Sequence, residues 1–412
     1  METIVVRQNK LRILIYCSDA NGMGNTSRTL SIATRISEQI DDCAILLLTD
    51  LPIIGRYKCP QNMDYVHLPG IARGDRHEYE ARNLNIALNN TLTLRHKITK
   101  SAIKTFKPDI ILIQSNPSDL PHEIEHTFGF VKKRFPETRL IWGLPDILGR
   151  PAIIKEEWQQ KDVYGMLDRI CDEIWVHGVQ HIFDATREYD FPESLAQKTT
   201  FTGYMSAPNI SSERNHRESA DIKQDNPYVL VTAGSGTEGY ALVSSYLEFL
   251  ENQVEPLPFS SVIITGPMMA SYEKSILMDR AERLPNVTFH RFSKNILQYL
   301  KHAELVVCNG GFNLFCEISS YNKHAIFVPG ETMHHEHLYR AQVLEDLGLV
   351  ELISPNILSA GTLGRKVMKV FTMGPAEKKY DMVPRNALEH IVERVQCLNA
   401  NVQLSLYHSV LR

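Results

Sequence analysis

Short apolar runs alternate with helix-type patterns along most of the chain, and this alternation constrains the fold more than any other feature. The runs are nearly continuous in Val, Ile and Leu, and Gly, Pro, Asp or Asn bound them. Such runs are typical of parallel strands whose sheet is covered by helices on both faces. We therefore expect an α/β chain with doubly wound sheets. The predicted strands are Leu11–Tyr16, Ala44–Leu48, Ile110–Ile113, Leu140–Trp142, Glu173–Val176, Tyr228–Thr232, Val262–Thr265, Val287–His290, Leu305–Cys308 and Ala325–Val328.

A polar stretch separates two such α/β series. The chain has 412 residues, more than one compact core usually holds. Residues 206–226 are polar and charged with few large apolar side chains, so they cannot contribute much to a core. The sequence predicts a Rossmann-like domain over residues 1–205, a linker over 206–226, a second Rossmann-like domain over 227–380, and a helix and tail over 381–412.

The balance of charge and the cysteine pattern exclude several classes of protein. With 44 basic and 48 acidic side chains, the chain has no overall positive field that would attract nucleic acid. The odd number of cysteines and the lack of a CxxC pair fit a reducing compartment, and no run approaches the length of a membrane span. We expect a cytoplasmic protein that binds no nucleic acid; membrane contact stays open without positive support. The cysteines are Cys17, Cys43, Cys59, Cys171, Cys308, Cys316 and Cys397.

Two glycine turns in the second series have the composition of anion-binding loops. The first follows the strand at Tyr228–Thr232 and contains Gly234, Ser235, Gly236 and Thr237. Glycines let the backbone approach an oxyanion, hydroxyls add donors, and the next helix points its N-terminal NH groups at the charge. A plain tight turn between strand and helix explains this one loop equally well.

The second turn makes the anion-binding interpretation stronger, because both turns follow strands of one open sheet and are expected to open onto the same cleft. A helix is predicted to begin near Phe312, and Glu317 lies one to two turns into it, where its carboxylate could accept from two sugar hydroxyls. The alternative for Glu317 is a solvated helix face. The predicted contacts of this turn are Asn309, Gly310, Gly311, Phe312 and Asn313.

The first strand runs into a third turn. Leu11–Ala33 predicts a strand, a turn with Gly22 and Gly24, and a helix capped by Thr26 or Ser27. The third glycine of a dinucleotide fingerprint is missing, so we do not expect an NAD site.

The C-terminal features together resemble a known family. The second glycine turn, the helix with Glu317, the strand Ala325–Pro329 and the segment Glu331–Gln342 resemble the donor-binding domain of GT-B glycosyltransferases, most closely family 28. The resemblance implies two Rossmann-like domains that face a central cleft. It also implies that Glu336 and His337 contact hydroxyls of the donor sugar, although the family commonly has Gln where His337 stands.

The same resemblance extends to the base of the nucleotide and to the N-terminal turn. By it, Arg291 and Phe292 are candidate contacts of the base, with a plain strand end as the alternative. The GT-B opening turn, Gly-x-Gly-His with an Arg three residues on, is matched by Gly22, Gly24, Asn25 and Arg28.

Many family members have His at the position of Asn25, and an amide cannot serve as a general base. Asp19, at the end of the first strand, is our first candidate for that base, and a turn or cap is its structural alternative. Asp146 follows another strand end and is the second candidate, with helix capping as the alternative. Arg73 lies in a charged loop suited to an anionic or polyhydroxyl acceptor, or is simply solvated.

The expected activity is transfer of a sugar from a nucleotide-diphosphate donor, most simply a UDP-sugar, to a hydroxyl acceptor with inversion. We expect no cofactor and no metal, because the glycine turns and helix N-termini would stabilise the leaving diphosphate, and His334, His335 and His337 lack zinc spacing. A small metabolite is the preferred acceptor. Two alternatives stay open: a UDP-sugar 2-epimerase of the same fold, and a non-catalytic nucleotide-sugar-binding subunit.

Overall fold

The computed structural model describes ten stretches of the chain, and all structural statements below concern them. At Arg73 and over residues 401–410 it describes the backbone alone. The stretches are residues 10–19, 24–57, 59–73, 78–119, 121–207, 226–293, 295–330, 335–374, 376 and 378–410.

The N-terminal part is built on a parallel sheet in which the described residues form seven strands in the order β3-β2-β1-β6-β7-β8-β9. A short antiparallel hairpin, β4 with β5, lies beside it. The strands are β1 (Leu11–Cys17), β2 (Cys43–Thr49), β3 (Met63–His67), β4 (Ile71–Arg73), β5 (Tyr79–Ala81), β6 (Ile110–Gln114), β7 (Arg139–Pro145), β8 (Glu173–His177) and β9 (Thr199–Phe201).

Helices connect these strands, and their apolar sides bury the sheet, so that β6 and β8 are buried along their whole length. The helices of this part are α1 (Gly24–Gln39), α2 (Leu88–Phe106), α3 (Pro121–Arg134), α4 (Pro151–Gln160), α5 (Val163–Ile170), α6 (Ala185–Glu188) and α7 (Glu193–Ala196).

The C-terminal part has a second parallel sheet, whose six described strands have the order β12-β11-β10-β13-β14-β15. The strands are β10 (Tyr228–Thr232), β11 (Ser260–Ile264), β12 (Val287–His290), β13 (Leu305–Cys308), β14 (His324–Phe327) and β15 (Glu351–Leu352). The helices are α8 (Tyr240–Glu251), α9 (Ser271–Ala281), α10 (Ile296–His302), α11 (Phe312–Ser320), α12 (Glu336–Asp346), α13 (Ala360–Phe371) and α14 (Ala387–Val410).

Both sheets have a topological switch point. In the first, β1 pairs with β2 on one side and with β6 on the other; in the second, β10 lies between β11 and β13. Where the strand order reverses, the loops at the carboxyl ends leave in opposite directions and open a crevice. The doubly wound α/β fold predicted from the sequence is confirmed, and two crevices are available for ligands.

The last helix returns to the N-terminal part. Arg394 of α14 donates to both carboxylate oxygens of Glu173 in β8, at 2.9 and 2.5 Å. On α1, Arg35 lies 3.3 Å from Glu389 of α14. The chain therefore crosses between the two sheets twice, once through residues 206–226 and once before α14. Because residues 208–225 lie outside the described part, the predicted linker and domain boundaries stay predictions.

All ten strands predicted from the sequence correspond to described strands. Three match the described bounds, and the others differ by one to three residues at one or both ends. The short strands β3, β4, β5, β9 and β15 were not predicted. β3 is polar at several positions and β15 has two residues, so neither has the apolar run that marks a central strand. Among the described residues, none of the helices combines the length and the apolar composition that a membrane span requires.

A buried arginine organises the carboxyl-end loops of the first sheet. Arg95 of α2 is 1% exposed and donates to Asp50 at 3.0 Å and to Glu123 at 3.2 Å. It also donates to the hydroxyl of Tyr16 at 2.7 Å and to the carbonyl of Pro69 at 2.7 Å. One guanidinium thus ties together α2, α3, β1 and the loops after β2 and β3.

We predict that Arg95→Met destabilises the N-terminal part by about 3–5 kcal/mol, because it leaves two buried carboxylates without their cation. The measurement is urea unfolding followed by tryptophan fluorescence, which reports on this part since Trp142, Trp158 and Trp175 all lie in it.

The matched control is Arg169→Met. Arg169 is 51% exposed and pairs with Glu125 and Asp162 at the surface, so its loss should cost about 1 kcal/mol or less. Equal shifts of the unfolding midpoint in the two variants would show that the Arg95 network does not stabilise the fold.

Candidate functional site

The two predicted glycine turns meet at the switch point of the second sheet. The side-chain amide of Asn309 donates to the carbonyl of Ala233 at 3.2 Å. The same side chain lies 3.4 Å from the place where a Cβ on Gly234 would stand. Both turns therefore line one crevice above β10 and β13, as the sequence predicted.

Each of these turns leads into a helix whose N-terminus is open. Gly239 is the N-cap of α8 and Gly311 the N-cap of α11, and among the described residues neither helix has a side-chain cap. Unsatisfied NH groups and the helix dipole make such ends suited to an anion. Two of them at one crevice give it the electrostatic character that suits a group with several negative oxygens.

Gly310 cannot be replaced without disturbing the second turn. Its φ is +79°, in the left-handed region, and a Cβ there would stand 2.7 Å from the ring of Phe327 in β14. The turn can therefore lie close over β14 only with glycine at this position.

Ser235 and Thr237, predicted to offer hydroxyl donors to an anion, lie on the rim of the crevice. Their hydroxyls are 3.1 Å apart and bond to each other. Each hydroxyl can still donate or accept one further hydrogen bond. The structure thus places them beside the open N-terminus of α8.

Glu317 lies in α11, as predicted, and its side chain is half-buried. Burial raises the pKa of its carboxyl to about 7. The side chain borders a cavity of about 20 Å³, room for a single water molecule. The cavity lies where the two parts of the chain meet, and it is lined by Ser27, Arg28, Ser31, Met205, Ser206, Ala207, Asn313, Cys316 and Glu317.

The start of α12 forms a third wall of the crevice. The Nε2 atom of His337 lies 3.6 Å from the place of a Cβ on Gly311. Burial lowers the pKa of His337, and its Nδ1 atom is buried with no hydrogen-bond partner among the described residues. A buried ring nitrogen of this kind is available to a ligand.

The charge of Glu336 is balanced by an arginine of its own helix. Arg340 donates to Glu336 at 3.0 Å and to the carbonyl of Ile147, in the N-terminal part, at 2.6 Å. Burial alone would raise the pKa of Glu336, but Arg340 and His337 outweigh it and the pKa is lowered. Arg340 therefore holds the sugar-contact candidate Glu336 ionised and also joins the two parts.

The N-terminal turn faces this site directly. The side-chain amide of Asn313, at the start of α11, donates to the carbonyl of Gly24 at 2.9 Å. The guanidinium of Arg28 lies 5.6 Å from the centre of the Phe312 ring. Gly22, the other predicted glycine of this turn, lies outside the described residues.

Arg28 and Asn25 interact within their own part of the chain. Arg28 donates to the side-chain oxygen of Asn25 at 2.7 Å and to that of Gln114, at the end of β6, at 2.9 Å. Asn25 in turn donates to the carbonyl of Ser18 at 3.0 Å. Both residues therefore lie at the switch point of the first sheet, opposite the glycine turns of the second.

Asp19 caps α1. Its carboxylate accepts from the backbone NH of Asn25 at 3.0 Å and from that of Thr26 at 2.8 Å. The hydroxyl of Thr26 also donates to it, at 2.6 Å. The prediction of Thr26 or Ser27 as the cap is wrong, because α1 begins earlier, at Gly24, so that both residues lie inside the helix.

Asp146, the second candidate base, is 1% exposed. One carboxylate oxygen accepts from the NH of Ile147 at 2.7 Å, and the other accepts from the hydroxyl of Tyr204. Burial raises its pKa, and Arg340 opposes that rise. The carboxylate lies beneath the contact between the two parts rather than on an open surface.

The remaining predicted residues lie at the periphery. Arg291 and Phe292 follow β12, and both are exposed, Phe292 by 38%. The hydroxyl of Thr265 donates to the carbonyl of Arg291 at 3.2 Å, which ties this strand end to β11. Arg73 ends strand β4, and its side chain lies outside the described residues.

Two site residues were not predicted from the sequence. Arg340 follows Glu336 by one helical turn, a spacing that favours an ion pair and could have identified it. Glu238 lies in the first glycine turn, next to residues that were predicted, and only its contacts in three dimensions distinguish it. Among the described residues, no group of three or more His, Cys, Asp or Glu side chains could hold a metal ion.

Sequence comparison supports the interpretation of the C-terminal part. Residues 228–395 match the glycosyltransferase family 28 C-terminal domain. A UDP-N-acetylglucosamine–N-acetylmuramyl-(pentapeptide) pyrophosphoryl-undecaprenol N-acetylglucosamine transferase of Alkaliphilus oremlandii is 23% identical over 308 residues, which cover 73% of this chain and 76% of the relative.

Solved structures agree over nearly the whole chain. MurG of Acinetobacter baumannii superposes with a TM-score of 0.57 at 15% identity and covers 93% of this chain and 99% of its own. The glycosyltransferase of kitacinnamycin superposes with a TM-score of 0.63 at 13% identity and covers 95% of this chain and 99% of its own. With two parallel sheets and glycine turns at their switch points, the chain has the GT-B fold of these structures. Its C-terminal part is similar to the family 28 donor domain, and the comparisons support a glycosyltransferase that uses a nucleotide sugar.

Proposed function

We propose that the chain transfers a sugar from a UDP-sugar to a hydroxyl acceptor, with the donor in the crevice above β10 and β13. The observation that carries this proposal is the meeting of two uncapped helix N-termini at that crevice, directly opposite the turn at Gly24. The relative from Alkaliphilus oremlandii is named for UDP-N-acetylglucosamine, so an N-acetylhexosamine is the first donor to test.

The two glycine turns hold the diphosphate in this proposal. Backbone NH groups of the turns at Gly234–Thr237 and Asn309–Gly311, together with the ends of α8 and α11, stabilise the charge that develops on the leaving UDP. Because these donors are fixed before the reaction begins, they do the work that a divalent cation does in other sites. We therefore propose that the reaction needs no metal and no cofactor.

The rest of the donor is placed by residues around these turns. Glu317 accepts hydrogen bonds from the ribose hydroxyls, and Glu336 and His337 contact the hydroxyls of the sugar. Arg291 and Phe292 follow β12 and are exposed, and in this proposal they contact the base at the outer end of the donor. Three observations support these roles. The Nδ1 atom of His337 has no partner among the described residues, the pKa of Glu317 is raised, and an ion pair with Arg340 holds Glu336.

The acceptor hydroxyl enters from the side of Gly24, Asn25 and Arg28, and Gly22 and Arg73 remain acceptor-side predictions from the sequence. Inversion follows if the hydroxyl attacks the anomeric carbon opposite the diphosphate. Asp19 is the proposed general base. Burial raises its pKa, which makes a carboxylate a stronger base at neutral pH. Asp146 is the weaker candidate because it is 1% exposed, against 5% for Asp19, and lies beneath the contact between the two parts.

The acceptor itself is proposed as a small hydroxyl-bearing metabolite in the cytoplasm. The name of the relative from Alkaliphilus oremlandii gives a lipid-linked acceptor, so a polyprenyl diphosphate sugar is the comparison to include. The epimerase and the non-catalytic binder are less supported, since the family 28 match concerns transferases. An acceptor-dependent release of UDP separates transfer from both alternatives.

The first test is titration calorimetry with UDP and UDP-N-acetylglucosamine. Gly310→Ala should abolish binding, because the added methyl group meets the ring of Phe327 and displaces the second turn. The control is Gly348→Ala, at φ +70° with no atom within 4 Å of the new Cβ. This variant reproduces the backbone strain of about 1–2 kcal/mol without the steric clash. Binding of neither ligand by the unmodified protein would refute the proposed donor.

The carboxyl of Glu317 should make stability depend on pH. Its folded pKa, about 7, exceeds its ordinary value of 4.5, so the folded protein binds the proton more tightly than the unfolded chain. This contribution is present in full below pH 4.5 and is lost as the pH rises to 7 and above.

We predict that Glu317→Gln removes this loss of stability at rising pH. The difference in unfolding midpoint between variant and unmodified protein should grow from pH 5 to pH 8 in favour of the variant, while its affinity for UDP falls as the ribose contact weakens. If the difference in unfolding midpoint does not change with pH, the pKa of Glu317 is not raised in the folded protein.

The role of Asp19 is tested by Asp19→Asn, which keeps one acceptor oxygen for capping but cannot accept a proton. If Asp19 is the base, the turnover number should fall by about 10²–10⁴-fold, whereas the affinity for UDP stays nearly unchanged and the unfolding midpoint falls only slightly. Asp19→Ala, which removes both functions, should lose stability as well. Full turnover by the Asn variant would assign Asp19 to capping alone.

A further inference from the structure

Glu238 occupies an unexpected position for a residue of a diphosphate-binding turn. It stands between Thr237 and the N-cap of α8, after β10, yet its side chain reaches Gly330, after β14. Since β13 lies between β10 and β14 in the sheet, the Glu238 side chain spans the crevice across the end of β13. It therefore lies inside the donor site rather than on the outer surface of the turn.

The contact with Gly330 is close. A Cβ on Gly330 would stand 2.7 Å from the Cβ of Glu238 and 2.8 Å from its Oε2 atom. That Oε2 atom is buried and has no hydrogen-bond partner among the described residues. A buried carboxylate oxygen without a donor is costly to the protein on its own, which indicates that a ligand supplies the donor.

The neighbouring charges do not satisfy Glu238 either. The charge of Glu336 acts on Glu238, and Glu336 already has its cation in Arg340. Burial and then the charge of Glu336 raise the pKa of Glu238, and burial keeps the nearby His337 neutral by lowering its pKa. This end of the crevice thus has an excess of negative charge and of hydrogen-bond acceptors.

A diphosphate cannot meet this need, because it is itself negative and offers acceptors only. Sugar hydroxyls are donors, and the sugar is the part of the donor that Glu336 and His337 are proposed to contact. We propose that Glu238 accepts hydrogen bonds from hydroxyls of the donor sugar, and that this subsite takes an uncharged sugar and excludes sugar acids. The proposal rests on the function proposed above.

The experiment compares UDP, UDP-glucose and UDP-glucuronate by titration calorimetry. The last two differ in one carboxylate at C6, so their ratio reports on charge within the sugar subsite. Glu238→Gln keeps the size of the side chain and removes its charge. Glu255→Gln is the control, since it removes the same charge from an exposed loop after α8.

We expect the unmodified protein and the control to prefer UDP-glucose over UDP-glucuronate by at least about tenfold, as like charges within an interface repel. Glu238→Gln should reduce this ratio to below about threefold and leave the affinity for UDP itself within about twofold. This combination would support the assignment of Glu238 to the sugar.

Three other results would overturn it. An unchanged sugar ratio, with UDP affinity intact, removes Glu238 from the sugar subsite but leaves the proposed function standing. A large gain in UDP affinity without a change in the ratio shows that Glu238 repels the diphosphate instead. If the unmodified protein binds none of the three ligands, both the inference and the proposed function fail.

Discussion

Parallel strand pairing is the constraint on which the site depends. Every strand of a parallel sheet ends at the same edge, so residues distant in sequence reach one crevice through short loops. Here the turns after β10, β13 and β14 come together through the contacts of Asn309 with Ala233 and of Glu238 with Gly330. Because β1 is also a switch-point strand, Asp19 and α1 meet the crevice from the opposite sheet.

The two parts are joined by few but specific polar contacts at this crevice. Asn313 bonds to Gly24, and Arg340 bonds to Ile147 while it holds Glu336. Residues proposed to bind the donor therefore also set the distance between the two sheets. A donor that draws on Glu336 or on the start of α11 acts on the same contacts, so binding and the relative position of the two parts are physically coupled.

Buried charge has opposite roles in the two halves. In the N-terminal part, Arg95 is surrounded by its partners and stabilises the loops. In the C-terminal crevice, Glu238 and His337 have buried polar atoms with no partner in the described part of the chain. Buried polar groups with partners indicate structure, whereas unpartnered ones at a crevice indicate a place where a ligand completes the bonding.

The central strands were predictable because they are apolar runs bounded by turn residues, a pattern that depends on local sequence alone. The glycine turns were predictable for the same reason, since each directly follows such a strand. Edge strands such as β3 and β15 were not, because pairing on one side leaves them polar or very short. The cap of α1 was misassigned to Thr26 or Ser27 because capping depends on which side chain folds back over the first turn.

The sequence by itself determined the α/β class, the two sheets and the positions of the glycine turns, and it offered Glu317 and, through the family resemblance, Glu336 and His337 as candidates. The tertiary structure alone decided that Asp19 caps α1, that Asp146 is enclosed by Tyr204, and that Glu238 crosses the crevice to Gly330. The physical reason is that secondary structure follows from spacing along the chain, whereas burial and hydrogen-bond partners depend on residues that only folding brings together.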